Sequence, residues 1–262
     1  MDLQLEGKKA LVTGSTAGIG FATARALAAE GASVVVNGRG QARVDAAIRE
    51  IRKLRLGANV SGIAADVSNA AGCAKLIQAL PTVDVLVNNM GIFEPIPFEK
   101  IPDEDWMRIF EANVMSGVRL SRHYLSGMRE RNWGRILFVS SESAVQIPAE
   151  MIHYGMTKTA QVAVARGIAE TVAGTGITVN SVLAGPTRSE GVETFIEKLA
   201  GGGDTAAFEA EFFKTMRPSS LLKRFATIDE VANMIVYLSS PRASATTGAA
   251  IRVDGGVVRA IL

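Results

Sequence analysis

Tyr154 and Lys158 stand four residues apart in Tyr154-Gly-Met-Thr-Lys158, and Ser141 precedes them at short range. A free phenol titrates at about 10 and is a poor acid or base at neutral pH unless its anion is stabilised. On a helix, positions i and i+4 share a face, so the Lys158 ammonium is expected beside the Tyr154 ring, where it would lower the phenol pKa. A serine hydroxyl nearby could hydrogen-bond a carbonyl oxygen and strengthen as charge builds there. The three side chains together suit proton transfer at a carbonyl or secondary alcohol. A tyrosine and a lysine at this spacing are also common as a surface pair, so the reading depends on what positions them.

The segment Lys9-Ala-Leu-Val-Thr-Gly-Ser-Thr-Ala-Gly-Ile-Gly-Phe-Ala-Thr-Ala-Arg-Ala-Leu reads as strand, glycine turn, helix. Glycines at 14, 18 and 20 would let the backbone approach a pyrophosphate, and the helix amino end offers free N–H groups and partial positive charge. The spacing is G-x-x-x-G-x-G, not G-x-G-x-x-G, and many such turns use glycine for geometry alone. Its place in the first strand-to-helix turn of a repeating pattern is the stronger argument for a dinucleotide site.

Strand candidates recur at Lys9–Thr13, Ser33–Asn37, Val60–Ala65, Val83–Asn88, Arg135–Ser140, Thr178–Val182 and Ala250–Val253, with helical patterns between them. Near-continuous apolar runs of this kind are expected of parallel strands buried on both faces. The fold class predicted is α/β: a single-domain, doubly wound, Rossmann-like parallel sheet of about seven strands over residues 1–262. Residues 187–226, which include the Gly201–Gly203 tract, form an insertion at the carboxyl edge of the sheet and are expected to act as a substrate lid; an inert surface hairpin is the alternative. At 48% apolar and 21% charged the chain has material for one large core. A net charge of +2 with dispersed lysines and arginines argues against nucleic-acid or membrane-surface binding. No signal pattern or bilayer-length apolar run is evident, so a cytoplasmic protein is expected. One cysteine, Cys73, excludes an internal disulfide, and two histidines without a HExxH pattern make metal catalysis improbable.

These residues resemble the short-chain dehydrogenase/reductases over essentially the whole chain. The resemblance is carried by Thr13-Gly-x-x-x-Gly-Ile-Gly20, Asp66-Val67, Asn88-Asn-Met-Gly91, Asn113, Ser141, Tyr154-x-x-x-Lys158 and Asp254-Gly-Gly256. It is nearest in character to bacterial 3-oxoacyl-carrier-protein reductase-like members. The resemblance implies reversible hydride transfer between a nicotinamide and a carbonyl or secondary alcohol, with Tyr154 as general acid and base, Ser141 holding the substrate oxygen, Lys158 lowering the Tyr154 pKa and binding the nicotinamide ribose, and Asn113 holding a water that connects Lys158 to solvent. It further implies a dinucleotide site from Gly14, Thr16, Gly18, Ile19 and Gly20 at the pyrophosphate, Asp66 and Val67 at the adenine, Asn88 over the adenosine half, Gly91 beside the cofactor, and Gly185, Thr187 and Ser189 at the carboxamide. Each has a plainer reading: Asp66 as a helix amino-cap, Asn88-Asn89 as a turn, Asn113 as a buried helix contact, Ser140 competing with Ser141. Met90 and Ala184 replace the family's usual alanine and proline.

Cofactor choice is read from Asn37-Gly38-Arg39, which follows the second strand. No carboxylate is present there to accept a ribose 2′-hydroxyl and repel a 2′-phosphate, and Arg39 can neutralise that phosphate, so NADP is favoured over NAD. Ala17 argues the other way, because NADP-preferring relatives often carry a basic residue there. Glu142, Glu150, Met151 and His153 are expected to shape the substrate mouth, with Ile147 and Phe195 adding an apolar component. The partner expected is a small carbonyl or alcohol, acyl thioesters included, and the resemblance implies a homotetramer. The alternative is a catalytically silent NADP-binding regulator on the same fold.

Overall fold

The computed structural model describes residues 1–190, 192 and 205–261. Seven strands form one parallel sheet: β1 (Lys9–Val12), β2 (Ser33–Gly38), β3 (Val60–Ala64), β4 (Val85–Asn88), β5 (Gly134–Ser141), β6 (Ile177–Ala184) and β9 (Ala250–Val253). Their spatial order is β3-β2-β1-β4-β5-β6-β9. Two short strands, β7 (Thr187–Arg188) and β8 (Ala226–Thr227), pair with each other. All seven predicted strands are present, and the doubly wound architecture is the one expected.

Strand sequences such as Val34-Val-Val and Ile136-Leu-Phe-Val are apolar on both faces because helices cover both faces. On one side α1 (Gly18–Ala29), α2 (Gln41–Leu54) and α8 (Ile228–Ser239) enclose Val12, Leu27, Val36, Ile51 and Ile235. On the other, α3 (Ala70–Ala79), α5 (Ser116–Glu130) and α6 (Ile152–Thr171) enclose Leu11, Leu76, Leu120, Phe138 and Val179. Strand order reverses between β1 and β4, which opens a crevice beyond their carboxyl ends.

The helical segment that carries Asn113 is interrupted. It consists of α4 (Asp103–Phe110), a π turn over Glu111–Met115 and then α5. A π turn widens the helix by one residue and often marks a functional position. Asn113 is at its centre. The Gly201–Gly203 tract and Phe195 lie outside the described residues; α7 (Thr205–Thr215) follows them.

Candidate active site

The glycine turn follows from close contacts. Gly14 and Gly18 have φ of +60° and +58°, a region glycine enters without penalty. Gly20 serves differently from the expectation. A Cβ there would lie 2.4 Å from Asn89 Nδ2 and 2.5 Å from the Gly14 carbonyl, so Gly20 packs beneath the turn and lines neither of the clefts that flank it.

The first cleft, of about 490 Å³, is lined by Gly14, Thr16, Asn37, Arg39, Asp66, Val67, Met90 and Gly91. Asp66 is not the amino-cap of α3. That cap is Asn69, whose side chain accepts from the Gly72 N–H, while Asp66 Oδ1 accepts from the Ser68 N–H at 3.1 Å. Asn37 is spent on structure: its Nδ2 donates to the carbonyls of Ile63 and Ala65, both at 3.1 Å. Arg43, which the sequence reading passed over, joins Arg39 in this cleft and pairs with Glu190 at 2.9 Å. Asn88 lines neither cleft. It is buried and donates to Ser121 Oγ at 3.2 Å; Asn89 faces the turn instead, donating to the carbonyls of Thr13 and Gly14.

The second cleft, of about 580 Å³, runs from Gly18 and Ile19 past Gly91 to Ser141, Tyr154 and Lys158, with Gly185, Thr187 and Ser189 on one wall. Ser141 ends β5, and its hydroxyl donates to the Glu142 carboxylate. Ser140 is engaged elsewhere, donating to the Lys158 carbonyl at 2.9 Å. Tyr154 and Lys158 share a face of α6, with Lys158 Nζ 5.5 Å from the Tyr154 ring centroid. The ammonium donates to the Val139 carbonyl at 2.9 Å and to Gln161 Oε1 at 3.2 Å. Burial lowers the Lys158 pKa to about 8.

The expectation of a depressed Tyr154 pKa is corrected. Burial, followed by the Glu142 carboxylate, raises it above its ordinary value, while the Ser141 hydroxyl and Arg217 pull the other way. Lys158 lies over the ring and is tied to Val139 and Gln161.

The Asn113 side chain makes three hydrogen bonds. Its Oδ1 accepts from the Ile92 N–H at 2.7 Å, and its Nδ2 donates to the Ile92 carbonyl at 2.9 Å and to Thr157 Oγ1 at 3.0 Å. Glu142, Glu150 and Met151 line the second cleft as expected, but His153 does not. Its ring is fully buried edge-on to Trp106, and burial lowers its pKa. Ile147 packs near Gly155, away from the cleft lining.

Sequence reasoning missed Arg217, which bridges Glu142 at 2.8 Å and Glu150 at 3.1 Å with its own side chain 9% exposed. It also missed an aromatic wall of Phe93, Phe208, Phe212 and Phe225. No local motif signals these, because they come from segments distant in sequence. A run such as Phe208-x-x-x-Phe212-Phe213 on a helix is the single visible hint.

A family model described as Enoyl-(Acyl carrier protein) reductase matches residues 14–258. The chain is 48% identical to the uncharacterized oxidoreductase YvaG of Bacillus subtilis over 263 residues, with 100% of both chains covered. It is 36% identical to a D-beta-hydroxybutyrate dehydrogenase of Cupriavidus necator, covering 97% of this chain and 99% of that one. The chain belongs to the short-chain dehydrogenase/reductase family. Among solved structures, L-sorbose reductase of Gluconobacter frateurii, complexed with NADPH and L-sorbose, superposes with a TM-score of 0.94 at 32% identity over 100% of both chains. This family member is therefore an oxidoreductase of the nicotinamide-dependent class, and the two clefts meet at its glycine turn.

Proposed function

We propose that the protein is an NADP-dependent oxidoreductase that interconverts a ketone and a secondary alcohol, with Tyr154 as general acid in reduction and general base in oxidation. The observation that carries this reading is that Ser141, Tyr154 and Lys158 share one cleft with Gly18 and Ile19 of the dinucleotide turn. When bound, the nicotinamide would supply or take the hydride. Gly14 and Gly18 would cradle its pyrophosphate, Arg39 and Arg43 would face the 2′-phosphate, and Gly185, Thr187 and Ser189 would hold the carboxamide. The Tyr154 phenol is protonated at neutral pH, as a reductase's proton donor must be, and its raised pKa means that the bound cofactor and substrate would have to stabilise the phenolate as the proton leaves. The buried Lys158 ammonium supports the charge that develops as the proton leaves.

Residues 187–226, of which 191 and 193–204 lie outside the described residues, serve as the substrate lid, a role supported by Phe208, Phe212, Met216, Arg217 and Phe225, which line the reaction cleft. The substrate is a 3-oxoacyl thioester or a related ketone, for which the aromatic wall supplies apolar contact. A second reading, a hydroxylated ketone, is favoured by Glu150, which presents a half-exposed carboxylate able to accept from substrate hydroxyls. The similar L-sorbose reductase is complexed with such a ketose. We further assign a homotetramer in the cytoplasm; among the described residues no helix is long and apolar enough to cross a membrane.

Consumption of NADPH and NADH, measured with 3-oxoacyl thioesters, ketoses and simple ketones, tests both readings. Oxidation of NADPH by wild type that is lost in Tyr154→Phe is expected. Equal rates in the two proteins would overturn Tyr154 as donor, and cofactor binding without turnover of any ketone or alcohol would favour a silent regulator. Light scattering that shows a monomer would remove the tetramer.

A further inference from the structure

The π turn and the lysine are joined by a residue outside the motif. Gln161 lies one turn after Lys158 on α6 and is 1% exposed. Its Oε1 accepts from Lys158 Nζ at 3.2 Å, and its Nε2 donates to the Asn113 carbonyl at 2.6 Å. A wide turn disturbs the helical ladder, and side chains take up two of its carbonyls: Ser116 Oγ donates to Ala112 at 2.6 Å, and Gln161 to Asn113. Thr157, on the same helix, meets the Asn113 side chain. Each atom of the Gln161 amide therefore has a partner, as burial requires, and the two partners are the Lys158 ammonium and the turn.

We propose that Gln161 is a positioning residue for Lys158, its side-chain amide spanning the distance to the Asn113 carbonyl that a water molecule would otherwise bridge. Unlike water, an amide hands on a proton only through its high-energy imidic acid form. The bridge therefore fixes the ammonium and closes the π turn as a route for protons. Its catalytic consequence rests on the reading of Tyr154 and Lys158 given above, whereas the tether itself does not.

The test is the titration of the Lys158 side chain, followed by NMR on lysine-labelled protein and assigned by the signal lost in Lys158→Met. Gln161→Glu places an anion on the ammonium and is expected to raise the midpoint by about one pH unit or more. Gln161→Leu removes an acceptor from a buried cation and is expected to lower it. Midpoints that coincide with wild type, or that move in the same direction, would overturn the proposal, because a glutamine whose amide does not touch the ammonium predicts no opposed shifts. In a crystal structure of Gln161→Ala, a water between Lys158 Nζ and the Asn113 carbonyl is expected; a dry gap with Lys158 unmoved would count against the bridge. A Tyr154→Phe variant with undiminished turnover would sink the proposed reaction while leaving these titrations to decide the tether.

Discussion

Ser141 donates its hydroxyl hydrogen to the carboxylate of Glu142, its neighbour in the chain. The same carboxylate oxygen accepts from the Ser143 N–H at 2.6 Å and from Ser143 Oγ at 2.9 Å, and the other oxygen takes Arg217. The serine proposed to steady a substrate oxygen is thus preset by a buried anion, and in that role it would have to turn from Glu142 to donate to a carbonyl. Ser141→Ala is expected to reduce kcat by about 10²-fold through loss of that donor. Steady-state kinetics with the best ketone of the panel checks this, and a variant at wild-type kcat would show that the hydroxyl stays with Glu142 throughout.

Tyr154→Phe deletes one oxygen from a ring that otherwise keeps its packing, including its edge contact with Phe93. A loss of about 10²–10⁴ in kcat is expected, the scale of general acid catalysis. Cofactor affinity, followed by nicotinamide fluorescence, should be unchanged. A parallel loss of binding would mean that the ring serves the cofactor rather than the proton.

Arg217→Leu leaves Glu142 buried without its cation. Removing one partner of a buried pair costs about 3–5 kcal/mol, and the side chains here are 9% and 5% exposed. Adding Glu142→Gln to Arg217→Leu should recover part of the loss, since the remaining group is then neutral. Urea unfolding of both variants reads the difference; a double mutant less stable than Arg217→Leu alone would contradict the account.

Lys158 gives a pH dependence with a definite sign. Burial holds its pKa at about 8, below the ordinary 10.5, so between those values the folded chain binds fewer protons than the unfolded chain. Stability attributable to this group therefore rises with pH across that window, and the cost of the buried charge is fully present below about pH 8. Replacing the lysine by methionine should abolish the rise, as measured by denaturation at several pH values. Reduction should slow as the ammonium deprotonates above about pH 8. A rate independent of pH to well above that value would argue that the charge is dispensable.

The first cleft makes a cofactor prediction. Arg39→Asp replaces a cation by an anion beside the position proposed for a 2′-phosphate. It is expected to lower kcat/KM for NADPH by at least about tenfold, the worth of one charged hydrogen bond, and to improve NADH. An unchanged ratio would reduce Arg39 to an ordinary loop residue and shift attention to Arg43.

The parts of the site legible in the sequence are those that recur at fixed spacing. The seven strands were visible because burial on both faces makes their sequences uniformly apolar, and Tyr154 and Lys158 because one helical turn sets their separation. Gly20 and Asn88 belong to recognisable motifs, yet their side of the backbone depends on how β1, β4 and α1 pack, which spacing does not encode. Arg217 and the aromatic wall come from segments distant in sequence, which share no spacing that would mark them as one surface. The Tyr154 pKa was misjudged because helical spacing brings a lysine near the ring but says nothing of the desolvation or of Glu142. The π turn was invisible for a related reason: a single extra residue leaves apolar periodicity almost intact.

Because all seven strands run parallel, no two neighbours can be joined by a tight hairpin. β6 finds its outer partner only when β9 arrives, and Gly185 then sits against Asp254 so closely that a Cβ would lie 2.6 Å from it. Ser219 likewise donates to the Val257 carbonyl at 2.6 Å. Such long-range closure is slow relative to local helix formation. In sequence distance, the glycine turn between β1 and α1 is closed by contacts within the first ninety or so residues, whereas β6, which brings Ala184 to the second cleft, is flanked by residues 250–253. One side of the glycine turn is thus closed by contacts local in the chain, and the other depends on a strand from its far end.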